Sequence, residues 1–272
     1  MFDSGFGGLS IVRALIDLLP GEHIVYVGDT GRYPYGSRPA VQVRAFAGQI
    51  ARHLVEDTGV KLLVVACNTA ASVALDELAA SCPVPVAGVI EPGMRAAALA
   101  TRTGRVGVIG TVGTIASGAY QRLAPTKGKT EVHCAACPGF VEFVERGDTD
   151  SDQVHVLAER LLAPLKAARV DTLLLGCTHY PFLARTIADV MGEGVVLVSS
   201  AEETAFDVHG LLSSGAVRRA RGSSGRHDFF SSGHVESFAE TGRRLLGPEL
   251  ATAQKVCFER ARFATGKAPS SL

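Results

Sequence analysis

Two apolar segments of the chain run into a cysteine that is followed by small polar residues. Leu62–Ala66 leads into Cys67, and Leu173–Leu175 leads through a glycine into Cys177. A thiol can serve as an acid, a base or a nucleophile because its pKa can be tuned towards neutrality. Cysteine is also among the most buried residue types and commonly has no chemical role. Two cysteines at the ends of two predicted strands nevertheless favour a shared catalytic role.

Cys67 is followed by the segment "NTAASVALDELAA", whose composition favours a helix. The beginning of a helix carries unpaired N–H groups and the positive end of the helix dipole. We therefore predict that the pKa of the Cys67 thiol is lowered. Asn68 and Thr69 can cap this helix or donate hydrogen bonds to a ligand carboxylate.

Cys177 is predicted to repeat this arrangement. It is followed by "THYPFLARTIADVM", in which Pro181 suits the first turn of a helix. His179 follows closely, and an imidazolium beside the sulfur would favour the thiolate or relay its proton.

The elements that must position these side chains indicate an α/β fold. Apolar runs without alternation are typical of strands buried on both faces of a parallel sheet. These runs are Ile24–Val27, Leu62–Ala66, Val84–Ile90, Val106–Ile109, Leu173–Leu175 and Val195–Val198. Helical patterns lie between them, at Ala40–Asp57, Ser72–Ser81, Ser151–Ala168 and Glu202–Leu212. We predict two similar α/β units with mostly parallel sheets and an active site in the cleft between them.

The predicted domains are residues 1–91 together with about 203–258, and residues 92–202, with a boundary at Glu91–Gly93. Residues 259–272 lack periodicity and are predicted to be a flexible tail. The arginine-rich segment Val217–Asp228 is rich in Gly and Ser and is predicted to be a solvated loop.

The composition sets broad limits on function. The chain has 272 residues, of which 47% are hydrophobic and 20% charged, and its formal net charge is zero. The Lys and Arg residues form no large cluster of the kind that nucleic acids require. We see no apolar run of membrane-spanning length and no signal-peptide pattern. We therefore expect a cytoplasmic protein with free thiols that binds neither nucleic acid nor membranes.

Other motifs are less specific. Cys134 and Cys137 form one CxxC pair, which is half of a zinc site, so no metal site is predicted. Cys82 and Cys257 are interpreted as incidental. The glycine-rich segment Asp3–Ser10 suggests anion binding, and Asp3 could be a base, a partner for an amino group or a helix cap.

Six motifs, in this order, resemble the glutamate racemase family, a group of cofactor-independent enzymes of peptidoglycan precursor synthesis. They are "FDSGFGGLS", "YVGDTGRYPYG", "ACNTA", "GVIEP", "VGVIGTVGTI" and "LGCTHYPFL". The matches run from Phe2 to about Thr204, and the pair "ACNTA" and "GCTHYP" is the specific combination.

The resemblance implies a role for each matching residue. Cys67 and Cys177 would act as acid and base on opposite faces of the substrate α-carbon, assisted by Asp3 and His179 respectively. Glu145 matches an acidic residue near the site, although a solvent-facing helical carboxylate is an equally good interpretation. The implied substrate contacts are Asp3, Ser4, Tyr35, Gly36, Asn68, Thr69, Thr178 and His179, with a looser match at Thr114.

The function implied is the interconversion of L- and D-glutamate without a cofactor or a metal, supplying D-glutamate for peptidoglycan. Two acid–base groups suit this reaction because one must remove the α-proton while the other delivers a proton to the opposite face. We also expect a homodimer. Three alternatives stay open: a racemase of another acidic amino acid such as aspartate, a hydrolase with Cys177 as nucleophile and His179 as base, and a non-catalytic amino-acid sensor.

Overall fold

The computed structural model describes residues 1–123, 130–214 and 225–258. The strands are β1 (Phe2–Asp3), β2 (Ile24–Gly28), β3 (Leu63–Val65), β4 (Val86–Gly88), β5 (Arg105–Gly110), β6 (Glu131–Ala136), β7 (Thr172–Gly176), β8 (Val196–Val198), β9 (His227–Ser231) and β10 (Gln254–Lys255). The helices are α1 (Leu9–Leu18), α2 (Ala40–Arg52), α3 (Asn68–Ser81), α4 (Ile90–Ala100), α5 (Val112–Ala116), α6 (Ala119–Arg122), α7 (Phe140–Glu145), α8 (Asp152–Ala167), α9 (Ala184–Met191), α10 (Ala201–Ser213) and α11 (Val235–Leu246). A π-helical turn, His53–Asp57, continues α2, and a 3₁₀ turn, Tyr180–Leu183, precedes α9.

The strands form two sheets in which every pairing among the described residues is parallel. The six-stranded sheet has the order β10-β9-β2-β1-β3-β4, and the four-stranded sheet has the order β6-β5-β7-β8. The α/β fold with two parallel sheets is therefore confirmed. Since parallel strands present their carboxyl ends on one edge, each sheet has a single edge suited to ligand binding.

Two hydrophobic cores support the sheets. One lies around α8 and α9 on the four-stranded sheet and includes Leu162, Leu173 and Ile187. The other surrounds the six-stranded sheet, but it also contains Met94 of α4 and Leu174 of β7. The larger core thus continues through α4 onto one face of the second sheet.

Capping explains where α8 begins. The Ser151 side chain accepts a hydrogen bond from the backbone N–H of Val154, and Asp152 lies in the first turn. Both features stabilise a helix N-terminus. The predicted helix Ser151–Ala168 therefore differs from α8 only by its capping residues.

Some predicted elements are wrong in their bounds. The strand predicted at Val84–Ile90 is shorter, because α4 already begins at Ile90 with Glu91 and Pro92 in its first turn, where both residue types are favourable. The helical pattern at Ser72–Ser81 is the later part of α3, which begins at Asn68, directly after Cys67, as the segment "NTAASVALDELAA" predicted. Cys177 is followed by a turn and then the 3₁₀ segment rather than directly by an α-helix, so its surroundings do not repeat those of Cys67.

Four strands were not predicted: β1, β6, β9 and β10. The segment predicted as a solvated loop, Val217–Asp228, ends inside β9, because His227 and Asp228 pair with Ile24 and Val25 of β2. Residues 217–224 of that segment lie outside the described residues, as does the predicted tail, 259–272. Within the described ranges, no helix is both long and apolar enough to cross a membrane.

Candidate active site

Both cysteines lie at carboxyl ends of strands, one on each sheet, and both line a single cavity of about 80 Å³. Cys67 follows β3 and Cys177 follows β7. The predicted residues that line the same cavity are Ser4, Tyr35, Gly36, Asn68, Thr69, Thr178 and His179. The structure thus brings together residues that are far apart in the chain, in a pocket between the two sheets.

Cys67 occupies the N-cap position of α3 and is 4% exposed. Its Sγ lies 3.7 Å from the Ser4 hydroxyl. Burial raises the pKa of the Cys67 thiol to about 12, and the charge of Asp3 adds to this, while hydrogen bonds from the Ala70 and Ser4 backbones oppose it. The predicted lowering of this pKa is therefore wrong, because desolvation outweighs the helix N-terminus.

Cys177 lies beside a buried histidine. Its Sγ is 3.9 Å from Nδ1 of His179, whose Nε2 is 3.0 Å from Oε1 of Glu145. Burial alone would lower the pKa of His179, but the hydrogen bonds to Cys177 and Glu145 and the charges of Cys177 and Asp3 raise it to about 10. His179 is therefore an imidazolium at neutral pH, held between a sulfur and a carboxylate. Glu145 contacts this histidine and is not simply a solvent-facing carboxylate.

Asp3 is fully buried and lies behind the lining of the cavity rather than on it. Its carboxylate accepts hydrogen bonds from the Gly5 backbone, at 2.8 Å, and from the Thr178 hydroxyl, at 3.2 Å. Burial raises the pKa of Asp3, although the charge of His179 and these hydrogen bonds oppose the shift. Asp3 thus joins the first sheet to the residue that follows Cys177.

A hydroxyl network connects α3 to α5. Thr69 Oγ1 lies 3.0 Å from Thr111 Oγ1 and 3.1 Å from Thr114 Oγ1. Thr114 is fully buried and does not line the cavity, whereas Thr111 does. Thr114 thus contacts two lining residues, Thr69 and Thr111, and its looser match to a substrate contact stays a prediction.

Asn68 presents an unpaired acceptor. Its Nδ2 donates to the Tyr120 hydroxyl at 2.8 Å, and its Oδ1 is buried with no hydrogen-bond partner within the described part of the chain. A buried unpaired acceptor is costly. Because Asn68 lines the cavity, this oxygen is suited to a donor such as a substrate ammonium group.

The loop from Tyr33 to Ser37, called the pocket loop below, closes the cavity from the first sheet. The backbone N–H of Gly113 on α5 donates to the Gly36 carbonyl at 2.8 Å. A Cβ on Gly36 would lie 2.6 Å from the Thr111 Cβ. The pocket loop and the residue before α5 are therefore too close for a side chain at Gly36. The pocket loop therefore contacts the start of α5 beside the four-stranded sheet.

Sequence reasoning missed several lining residues: Thr111, Val112, Cys137, Pro138, Gly139, Val141, Glu142 and Tyr180. Those from Cys137 to Glu142 follow β6, and recognising that strand would have placed them at the carboxyl edge of the sheet. Burial raises the pKa of Cys137 to about 12 and that of Cys134 to about 11. In the ranges described, no group of three or more His, Cys, Asp or Glu side chains could hold a metal ion.

Comparison with known proteins identifies the family. The model of the Asp/Glu/Hydantoin racemase family matches residues 9–206, more than half of the chain. The chain therefore belongs to this family of amino-acid racemases, which are isomerases.

Closely similar relatives show which members of this family the chain resembles. A glutamate racemase from Parafrankia sp. is 51% identical over 92% of this chain and 91% of its own length. The crystal structure of glutamate racemase isoform RacE1 from Bacillus anthracis has a TM-score of 0.88 and 40% identity, covering 95% of this chain and 96% of that one. Glutamate racemase from Francisella tularensis, solved in complex with D-glutamate, has a TM-score of 0.85 and 32% identity, covering 94% and 95%. Within the family, the chain belongs to the glutamate racemases.

Proposed function

We propose that this protein interconverts L- and D-glutamate by proton transfer between the substrate α-carbon and two cysteines, Cys67 and Cys177. The observation that carries the proposal is that thiols from two different sheets line one small cavity. Two acid–base groups on separate structural supports can approach a carbon atom from opposite faces, as inversion of its configuration requires. The relative from Francisella tularensis that binds D-glutamate supports the choice of substrate.

The surroundings of the two thiols suit one to act as the proton donor and the other as the base. Burial holds Cys67 protonated at neutral pH, which suits a proton donor. Nδ1 of His179 lies 3.9 Å from the Cys177 Sγ, and an imidazole ring in this position can assist proton transfer at the sulfur, which suits a base. In one direction Cys177 removes the α-proton and Cys67 delivers a proton to the opposite face. The reverse direction exchanges the roles.

Backbone and hydroxyl donors can stabilise the negative charge that develops on the substrate. The N-termini of two helices lie at the cavity. Asn68 and Thr69 begin α3, Thr111 is the N-cap of α5, and all three line the cavity. Helix N-termini and hydroxyls stabilise anionic groups most strongly where water is excluded. The unpaired Oδ1 of Asn68 would accept a hydrogen bond from the substrate ammonium group. We infer a cofactor-independent reaction that supplies D-glutamate for peptidoglycan in the cytoplasm.

Substitution of each cysteine tests the proposal. In Cys67→Ser and Cys177→Ser variants, racemisation of glutamate should fall by at least ~10², the usual contribution of a positioned acid–base group. Cys82→Ser is the matched control, because Cys82 is half-exposed and does not line the cavity. The rate is followed by circular dichroism with L-glutamate and, in parallel, with L-aspartate.

The outcomes separate the alternatives. A normal rate in Cys177→Ala would contradict the two-cysteine mechanism. Faster racemisation of aspartate than of glutamate would show that aspartate, and not glutamate, is the preferred substrate. Binding of glutamate without any racemisation would indicate a sensor, and an acyl-enzyme trapped on Cys177 would indicate a hydrolase.

A further inference from the structure

The pocket loop is held by a buried ionic cluster that does not line the cavity. Asp29 follows β2, is fully buried, and its backbone N–H donates to the Asp3 carbonyl at 2.9 Å. Its carboxylate accepts from Arg32 Nε, at 3.0 and 2.7 Å, and from the hydroxyls of Tyr35 and Ser232. Since Tyr35 belongs to the pocket loop, one carboxylate connects that loop to the residue after β9.

Arg32 is the cation that balances this buried carboxylate. Its side chain is 18% exposed, its Nη1 donates to Gln49, and its backbone carbonyl accepts from Arg38 Nε at 2.6 Å. The Nη2 atom is buried with no hydrogen-bond acceptor in the described ranges. Arg32 therefore depends on something other than hydrogen bonds to hold one edge of its guanidinium group.

Two aromatic rings supply that contact. The guanidinium carbon of Arg32 lies 4.3 Å from the centre of the Phe46 ring and 4.7 Å from that of Phe258. Both distances are within the range of a cation–π interaction. Phe46 also lies beside the Tyr35 ring, with centroids 5.6 Å apart. Phe258 comes from the C-terminal segment after β10, far in the sequence from the cavity.

We propose that Arg32 is a positioning residue: it fixes the pocket loop through Asp29 and Tyr35, and Phe258 holds Arg32 in that position. The proposal rests on the proposed function of the cavity, and it adds a role for the C-terminal segment. If the cluster loosens, the pocket loop occupies its binding-competent arrangement for a smaller fraction of the time. The apparent affinity for substrate falls by that fraction, while the chemistry of the cysteines is unchanged.

Kinetics of matched variants test the proposal. Arg32→Lys keeps the charge but loses the planar group that both stacks and pairs with the carboxylate, and it should raise KM for glutamate about tenfold with a smaller change in kcat. Phe258→Ala should raise KM about two- to fivefold, the effect of one part-exposed cation–π contact. Phe258→Tyr keeps an aromatic face and should restore the wild-type KM. Arg95→Lys is the control, because Arg95 pairs with Asp207 on the surface away from the cavity.

Hydrogen exchange of the substrate-free protein gives a readout independent of activity. The N–H of Gly113 is bonded to the Gly36 carbonyl and that of Arg38 to the Tyr35 carbonyl. Both amides should exchange faster in Arg32→Lys and Phe258→Ala, and at the wild-type rate in Phe258→Tyr and Arg95→Lys. Unchanged exchange at Gly113 together with an unchanged KM would overturn the proposal. If the wild-type protein does not racemise glutamate, the proposed function fails, while the exchange rates still decide whether Arg32 positions the loop.

Discussion

At the scale of single residues, the two cysteines have similar sequence surroundings but different electrostatics. Cys67 is buried at the beginning of a helix, close to a carboxylate, and its pKa rises to about 12. Cys177 lies beside the imidazolium of His179, which Glu145 holds from its other side. The position of each cysteine after a strand was predictable from apolar runs. The degree of burial that reverses the expected pKa shift of Cys67 depends on packing, which the sequence does not display.

A pH prediction follows from His179. Its pKa is raised in the folded protein to about 10. The stabilisation is therefore fully present below the unfolded-state pKa of about 6.5 and is lost as the pH rises towards 10. The unfolding free energy of the wild type should fall between about pH 7 and pH 10 more steeply than that of His179→Gln. Urea unfolding at several pH values measures both.

His179→Gln also controls for the other groups that titrate in this pH range. Cys67 ionises in the unfolded state over the same pH range, so it contributes a similar slope to both proteins and cancels in the difference. Parallel curves for the wild type and His179→Gln would show that the folded protein does not hold the proton on His179.

At the scale of elements, the sequence predicted strands that are continuous apolar runs and missed those that are not. β6 lies at the edge of its sheet and reads "EVHCAA", with Glu131 exposed, Val132, His133, Cys134 and Ala136 half-buried, and Ala135 buried. β9 reads "HDFFS", in which half-buried and buried positions alternate from Asp228 to Ser231. Edge strands and alternating strands need only one apolar face, so a search for unbroken apolar runs does not detect them. The lining residues after β6 were lost for this reason.

The contact between the pocket loop and α5 predicts that Gly36 cannot be replaced by a larger residue without loss of activity. In Gly36→Ala the new Cβ would meet Thr111 at 2.6 Å and displace the loop that carries Tyr35. The rate of glutamate racemisation should fall about 10²-fold, because misplaced binding groups usually cost about that much. Circular dichroism with L-glutamate measures this rate.

Gly210→Ala is the matched control within the same protein. Gly210 lies inside α10 and has no atom near the position of a new Cβ. This variant should keep full activity and gain about 0.5–1 kcal/mol of stability, because alanine favours a helix more than glycine does. Equal activity of the two variants would mean that the contact between Gly36 and Thr111 does not shape the site.

At the scale of the whole molecule, two parallel sheets bring distant residues to one cavity. We propose the division into residues 1–91 with about 203–258, and residues 92–202, which corresponds to the strands of the six-stranded and four-stranded sheets. The larger core nevertheless includes Met94 and Leu174, so the two units share packed side chains. No local pattern could show that Cys67 and Cys177 line one cavity. The resemblance to a known family supplied that expectation, and the shared cavity now gives it a physical basis.

The most direct test of the central claim uses L-glutamate in deuterated water. If two different thiols act on opposite faces of the α-carbon, the group that delivers the new hydrogen carries a solvent deuteron, while the removed proton stays on the other group. At early times the D-glutamate formed should contain α-deuterium, and the remaining L-glutamate should contain almost none. Chiral separation with mass spectrometry measures both. Deuterium appearing equally fast in the remaining L-glutamate, or D-glutamate that retains its original hydrogen, would contradict the two-cysteine account.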